Sequence, residues 1–540
     1  MRPVNSKCRS TKPSLPDGTA LDATALAAAI AAGQVTALTA MQAALAAATA
    51  QDRFGAVVRL DPGRGLAAAA AADAAPWNGP HAGRGPFHGV PFLGKDLGSA
   101  ASGLAPAAGS PALRQRLGDP ATDSALFARF RQAGLVPFGL TATPEFGLAL
   151  STEPPGRPAT RNPWNPDLTP GGSSGGAAAA VAAGIVAIAH ASDAAGSIRV
   201  PAACCGLVGL KPSRGVIPGG PDFNNHLMGI ASELVLARSV RDVATAFAAA
   251  ANPAANPAAS PAHNPAANPT TDPDQTTANP RPAFIAEKYP AGDVTAGRTG
   301  CETPAVWPTP TPADRLTPDP AQTAADRPRI ALAIPDRCGP RQAAATRDAA
   351  EALAALGCRV RVCPAPDALG LRAARLARLI LTVSLAEWLD AFDIADAEVS
   401  PLAAAIAAEG RALPGTAVFA ASRDLAILTD QIDALFVGTE VILSPVLAGP
   451  PPVLGHFDVQ RPDPAAHFAA IEALAPNAAL ANIAGCPALV LPFGTDAGGL
   501  PIGVQLMARL GADALLLALA ARLESLAPKL IFPYPIAGLP

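Results

Sequence analysis

The stretch TPGGSSGGAAAAVAAGIVAIAHASDAAGSIRVPAACCGLVGLKPSRGVIP, residues 169–218, decides how this chain reads. It holds two glycine-rich turns, GGSSG at 171–175 and AAGS at 194–197, and each presents serine. The small apolar run between them, 175–191, reads as a buried core helix, because it is short for a membrane span and bounded by turn residues. Glycines beside a serine let backbone approach a ligand closely and expose consecutive N–H groups, which suits an anion or oxyanion. As a nucleophile elbow centred on Ser173, GGSSG fails on context: NPWNPDLTP before it has three prolines and no strand pattern. As a phosphate cradle it lacks both the G-x-x-x-x-G-K-[ST] spacing and a leading strand. The third reading makes both turns parts of one site.

On the N-terminal side, residues 22–50 read as two helices separated by AAGQVT, followed by a strand at AVVRL (56–60) and a helix near 65–75. GVPFLGKD (89–96) reads as a compact apolar strand ending in a lysine, and 125–140 as a helix, a glycine stop and a strand. On the C-terminal side, RIALAIP (329–335) and CRVRVC (358–363) read as strands around a helix at 342–356. Helices dominate 367–435, strands follow at 441–447, 488–494 and 499–508, and an amphipathic helix closes at 511–526. Strands interleaved with helices along the chain indicate an α/β fold with a substantial sheet.

Two segments stand apart. Residues 1–20 read as a disordered tail. Within residues 248–327 proline recurs every four residues from 253 to 273, in NPAANPAASPAHNPAANPTTDP, and each proline removes an amide donor and disfavours helix at the residue before it. This Pro/Ala-rich insertion is expected to be surface-exposed, low in complexity and disordered, dividing one domain into 21–247 and 328–540.

With 540 residues, of which 50% are hydrophobic, the chain can bury a large core. The formal net charge of −3 offers no basic excess for a nucleic-acid backbone. No secretory or membrane-spanning segment stands out. The eight cysteines show neither a C-x-x-C pair nor a zinc-like spacing, so a cytoplasmic protein without metal is the expectation. None of the seven histidines sits in a Ser-His-Asp setting; His190 reads as a packed residue of the core helix. A serine nucleophile here therefore needs another base.

The run GGSSGGAAAAVAAG, followed by DAAGSIRVPA, CGLVGLKPSRG and an upstream lysine, resembles the amidase-signature family. Ser173 and Ser197 are 24 residues apart (197 − 173), as the family's bridging serine and nucleophile are. GVPFLGKD, GLTATPEFG, RNPWNP, LARSVRDVA, ILSPV, NIAGCPALVLPFG and GLPIGVQLMA extend the likeness over most of the chain outside the tail and the insertion. The resemblance implies an α/β/α architecture, a mixed central sheet between helices, with the catalytic residues in a cleft at its edge. It also implies a Ser–Ser–Lys triad: Ser197 as nucleophile, Ser173 as proton bridge after a cis Gly172–Ser173 bond, and Lys95 as a neutral base.

Free lysine is charged at neutral pH, so burial must lower the pKa of Lys95. Ser174 would support the triad, and the amides of Ala194, Ala195, Gly196 and Ser197 would form an oxyanion hole. Ala195 stands where the family usually has glycine, which strains the turn if φ there is positive. Asp193 and Arg199 would brace it, and Asp96 carries no chemistry.

The implied activity is that of an amidase hydrolysing a carboxamide through an acyl-serine intermediate, with no cofactor, a small-molecule substrate, and no nucleic-acid or membrane partner. A homodimer stays open. Two other readings share the fold: the A subunit of an aspartyl/glutamyl-tRNA amidotransferase, and a non-catalytic binding protein. Val200, where that subunit tends to carry glutamine, argues against the first, and the presence of both serines and the lysine argues against the second.

Overall fold

The computed structural model describes residues 22–74, 85–219, 226–252 and 327–538. The expected tail and nearly all of the Pro/Ala-rich insertion lie outside the described residues, as does most of the loop PDFNNHLMG (221–229). The helix before the insertion runs to Ala250, so regular structure continues past residue 247.

Eleven strands among the described residues form one mixed sheet. They are β1 (Val57–Leu60), β2 (Val90–Lys95), β3 (Leu135–Thr141), β4 (Ile188–Asp193), β5 (Val208–Lys211), β6 (Ser232–Ala237), β7 (Arg329–Leu332), β8 (Arg359–Val362), β9 (Val441–Pro445), β10 (Ala488–Thr495) and β11 (Pro501–Ala508). Their spatial order is β1-β3-β2-β4-β6-β5-β10-β11-β9-β7-β8. β2 runs parallel to β3 and β4, β7 runs parallel to β8 and β9, and the remaining pairs are antiparallel. β2, β3 and β4 are buried along their whole length, which is why they read as continuous apolar runs rather than alternating ones.

Helices flank this sheet, and their starts follow side-chain chemistry. Asp22, Thr36, Ser124, Ser239 and Ser400 each accept a hydrogen bond from an amide in the first turn of the helix that follows, occupying donors no helical carbonyl can reach. The longest helix, Asp367–Ala391, belongs to two apolar clusters: Ala373 and Ile380 pack with Ile432 and Ile483, whereas Leu385 and Leu389 pack with Phe146, Leu402 and Ile406.

Two expectations need correction. The small-residue run 175–191 is not one helix: helix Gly175–Ala182 stops and β4 begins at Ile188. Gly184 ends the helical turn with φ +72°, and a Cβ there would lie 1.8 Å from the Pro535 carbonyl oxygen. The β-branched residues Ile185, Val186 and Ile188 then favour a strand over a further helical turn. His190 therefore sits on a strand. The site, moreover, is not at a sheet edge but at the C-terminal ends of the interior strands β2 and β4.

Candidate active site

Lys95 is the last residue of β2, and Asp193 the last of the parallel β4, so both strands deliver polar side chains to one end of the sheet. The Lys95 side chain is fully buried. Its Nζ donates to Ser173 Oγ at 2.7 Å and to Ser192 Oγ at 2.9 Å. Burial pushes its pKa down to about 7, against the opposing pull of the Asp193 and Glu233 carboxylates. A substantial fraction of Lys95 is thus neutral near pH 7. Asp96 turns away, accepting the amides of Ala107 and Gly109.

A second polar layer lies beneath the lysine. The Lys95 amide donates to His190 Nδ1 at 3.2 Å, so that nitrogen carries no proton. His190 Nε2 is 3.1 Å from Glu233 Oε1, but not aligned for a good hydrogen bond. Glu233 also accepts from the Ser99 amide at 2.8 Å and the Ser99 hydroxyl at 2.5 Å. Phe127 and Phe130 meet the imidazole edge-on, 5.1 and 6.2 Å away.

The bond Gly172–Ser173 is cis. Ser174 Oγ donates to the Ser192 carbonyl at 3.1 Å and accepts the Ser192 amide at 3.3 Å, tying the first serine turn to β4. The Ser174 amide donates to the Ser197 carbonyl at 3.2 Å, which ties the two turns directly to each other. Ser173 and Ser197 both line one chamber, and both are nearly buried.

The turn 193–199 is held by a buried ion pair. Arg199 Nε lies 2.9 Å from Asp193 Oδ2, and both side chains are fully inaccessible. Burial alone would push the Asp193 carboxyl up. The Arg199 guanidinium and the hydrogen bonds from Gly196 and Asn482 outweigh it and hold the group well below the usual carboxylate range. Arg199 also donates to Gln505 Oε1, the Ala478 carbonyl and Asn482 Oδ1 at 2.9, 2.8 and 2.6 Å, so the buried charge is fully engaged.

Gly196 donates its amide to Asp193 Oδ1 at 2.7 Å. That amide is therefore committed to the turn, whereas those of Ala194, Ala195 and Ser197 have no acceptor among the described residues. Ala195 is not one of the positive-φ residues, so its methyl causes no backbone strain; the left-handed position is Gly196, at φ +119°.

Ser197 stands where two chambers meet. The narrower one, with about 550 Å³ of open space including its mouth, is lined by Ser173, Ser192, Leu97, Phe146, Leu385 and Trp388 among others. The wider, about 1020 Å³ on the same measure, carries Ala195, Arg375, Arg378, Phe468 and Glu472. Ala194, Ser197, Gly147, Leu148 and Leu381 border both. Among the described residues no three His, Cys, Asp or Glu side chains come together in a metal-holding group.

The sequence reading missed Ser192, the His190–Glu233 pair and Asn482. Ser192 adjoins Asp193 in the opening stretch, but nothing in its local pattern marks it. Glu233 and Asn482 reach the site only through strand pairing and helix packing.

A family model described as Amidase matches residues 39–286 and 303–517. A 6-aminohexanoate-cyclic-dimer hydrolase of Paenarthrobacter ureafaciens is 30% identical over 460 residues, covering 82% of this chain and 84% of that protein. A solved 6-aminohexanoate cyclic dimer hydrolase in complex with substrate superimposes with a TM-score of 0.74 at 28% identity, covering 95% of this chain and 98% of the other. A native peptide amidase from Stenotrophomonas maltophilia gives 0.68 at 25% identity, with 95% and 98% covered.

Proposed function

Since this chain belongs to the amidase family and therefore hydrolyses amide C–N bonds, we propose that Ser197, Ser173 and Lys95 carry out that reaction without a cofactor. The observation that carries this reading is the buried Lys95 Nζ, 2.7 Å from Ser173 Oγ, with its pKa lowered to about 7. A neutral lysine accepts the Ser173 proton while Ser173 takes that of Ser197, and Ser197 Oγ attacks the carboxamide carbon. The developing oxyanion is met by the amides of Ala194, Ala195 and Ser197, while the Gly196 amide keeps the turn in shape by holding Asp193. The proton then returns through Ser173 to the amide nitrogen, the C–N bond breaks, and amine or ammonia leaves. Water enters on the same relay, cleaves the Ser197 ester and releases the carboxylic acid.

Ser192 acts as a second acceptor that aims the lysine, and Ser174 couples the two serine turns. Nothing in the comparisons favours an amidotransferase subunit. A cytoplasmic location fits the six described cysteines, all of which are free thiols. No helix among the described residues is long and apolar enough to cross a membrane.

The test is a panel of aryl, alkyl and amino-acid amides assayed with wild type, Ser197→Ala and Lys95→Met. Both variants lose at least about 10³-fold in kcat/KM, and Ser197→Ala no longer takes up a fluorophosphonate. Equal turnover by wild type and Ser197→Ala would overturn the assignment.

A further inference from the structure

The helix Asp367–Ala391 walls both chambers with one continuous face. Leu371, Ala374, Arg375 and Arg378 line the wide chamber, and Ser384, Leu385 and Trp388 the narrow one. Leu381 borders both, level with the nucleophile's junction. The face therefore changes character along its length, from cationic on one side of Ser197 to apolar and aromatic on the other.

The charges differ in what holds them. Among the described residues lining the narrow chamber the one charged side chain is Asp193, whose carboxylate is consumed by Arg199 and Asn482. In the wide chamber Arg378 donates to Glu409 at 2.8 Å and lies over the Phe468 ring at 5.1 Å. Glu472 faces Arg337 at 3.5 Å. Arg375 alone of these has no ion pair or hydrogen bond among the described residues. Arg375 is an exposed residue at the wall of this chamber, and a guanidinium that faces solvent without a protein partner is available to a planar anion, above all a carboxylate.

The junction also sets a direction. Ser173, which returns the proton to the departing nitrogen in the reaction above, lines only the narrow chamber. Ala195, one of the amides at the carbonyl oxygen, lines only the wide one. With the amine departing over the narrow chamber beside Ser173, the wide chamber, with Arg375 on its wall, is the space left to the acyl substituent.

We propose that the wide chamber is an acyl-side subsite in which Arg375 binds a carboxylate at the far end of the acyl chain, so that the preferred substrates are half-amides of dicarboxylic acids with an apolar amine. The inference rests on the Ser197 reading of the site. Six residues separate Arg375 from Leu381, about 9 Å along the helix axis at the usual rise. That separation suits an acyl chain of about six carbons, counting both the scissile carbonyl and the terminal carboxylate carbon.

The experiment compares adipic acid monoanilide with 6-methylheptananilide, in which an isopropyl group replaces the terminal carboxyl. Wild type, Arg375→Ala, Arg375→Lys and Ser197→Ala are assayed with both. Wild type favours the acid in kcat/KM by at least about tenfold, Arg375→Ala brings that ratio near one by raising KM for the acid, and Arg375→Lys restores part of it. A wild type that does not discriminate, or that turns over neither anilide, overturns the subsite, as does an Arg375→Ala ratio unchanged from wild type. A preference of wild type for hexanoyl-6-aminohexanoate, with the carboxylate on the amine side, overturns the direction. Failure of the underlying reading is distinguishable, because Ser197→Ala would then keep measurable turnover equal to that of wild type, whereas with neither anilide turned over only the subsite falls.

Discussion

Lys95 shows how one side chain takes its chemistry from its surroundings. Its sequence context, an apolar GVPFLG, indicated burial, and the structure supplies the consequence, a pKa lowered to about 7. Lys95 must be neutral to accept a proton, so kcat/KM should fall as pH drops below about 7 and level off above it. The Glu233 carboxylate, positioned through Ser99 and His190, favours the charged lysine and so opposes that fall in pKa. Glu233→Gln keeps the shape and removes the charge, and it should move the acid limb of the kcat/KM profile to lower pH. A variant that only loosened the fold would lower activity at every pH and leave the limb in place. That Lys95 and Ser173 would meet beside Ser197 was legible in the sequence, because the motifs that carry them recur in a known family. Ser192 was not legible, since a serine beside an aspartate has many uses, and only its 2.9 Å contact with Lys95 distinguishes it.

At the scale of the element, the turn 193–199 behaves as a unit. Asp193 closes it by accepting the Gly196 and Ile198 amides, and Arg199 neutralises that carboxylate inside the protein. Arg199→Ala leaves the carboxylate buried without its charge partner, which costs about 3–5 kcal/mol. The expected result is a clear drop in the midpoint of thermal unfolding, together with loss of fluorophosphonate labelling at Ser197. Full labelling at an unchanged midpoint would show that Asp193 and the amides hold the turn unaided. The sequence placed these residues around the turn as braces, but it spread the oxyanion role over four amides. The structure commits Gly196 to Asp193, because the carboxylate lies 2.7 Å from that amide. The helix expected to run through 175–191 was a misreading. Alanine-rich sequence gives little contrast between helix and strand, and Gly184 against the C-terminal segment decides the break.

At the scale of the whole molecule, the insertion offers the broadest test. It lies almost wholly outside the described residues, and the family model breaks at 287–302 within it. A chain with residues 256–323 replaced by a short glycine-serine linker is expected to keep kcat/KM within about twofold. A loss of about tenfold or more would make the insertion part of the site. The order of the sheet was beyond sequence reading, because β-pairing joins segments far apart in the chain: β5 lies against β10, and β9 lies between β11 and β7. The chain alone determined the α/β class, the two serine turns and the lysine proposed to serve them, since local propensity and motif spacing are written in contiguous residues. Tertiary structure decided the rest. Parallel pairing of β2 with β4 brings Lys95 to Ser192 and Ser173, and packing of the helix Asp367–Ala391 beside Ser197 creates two chambers of different character. Burial, which lowers the pKa of the lysine to about 7, is a property of the assembled core and of no segment by itself.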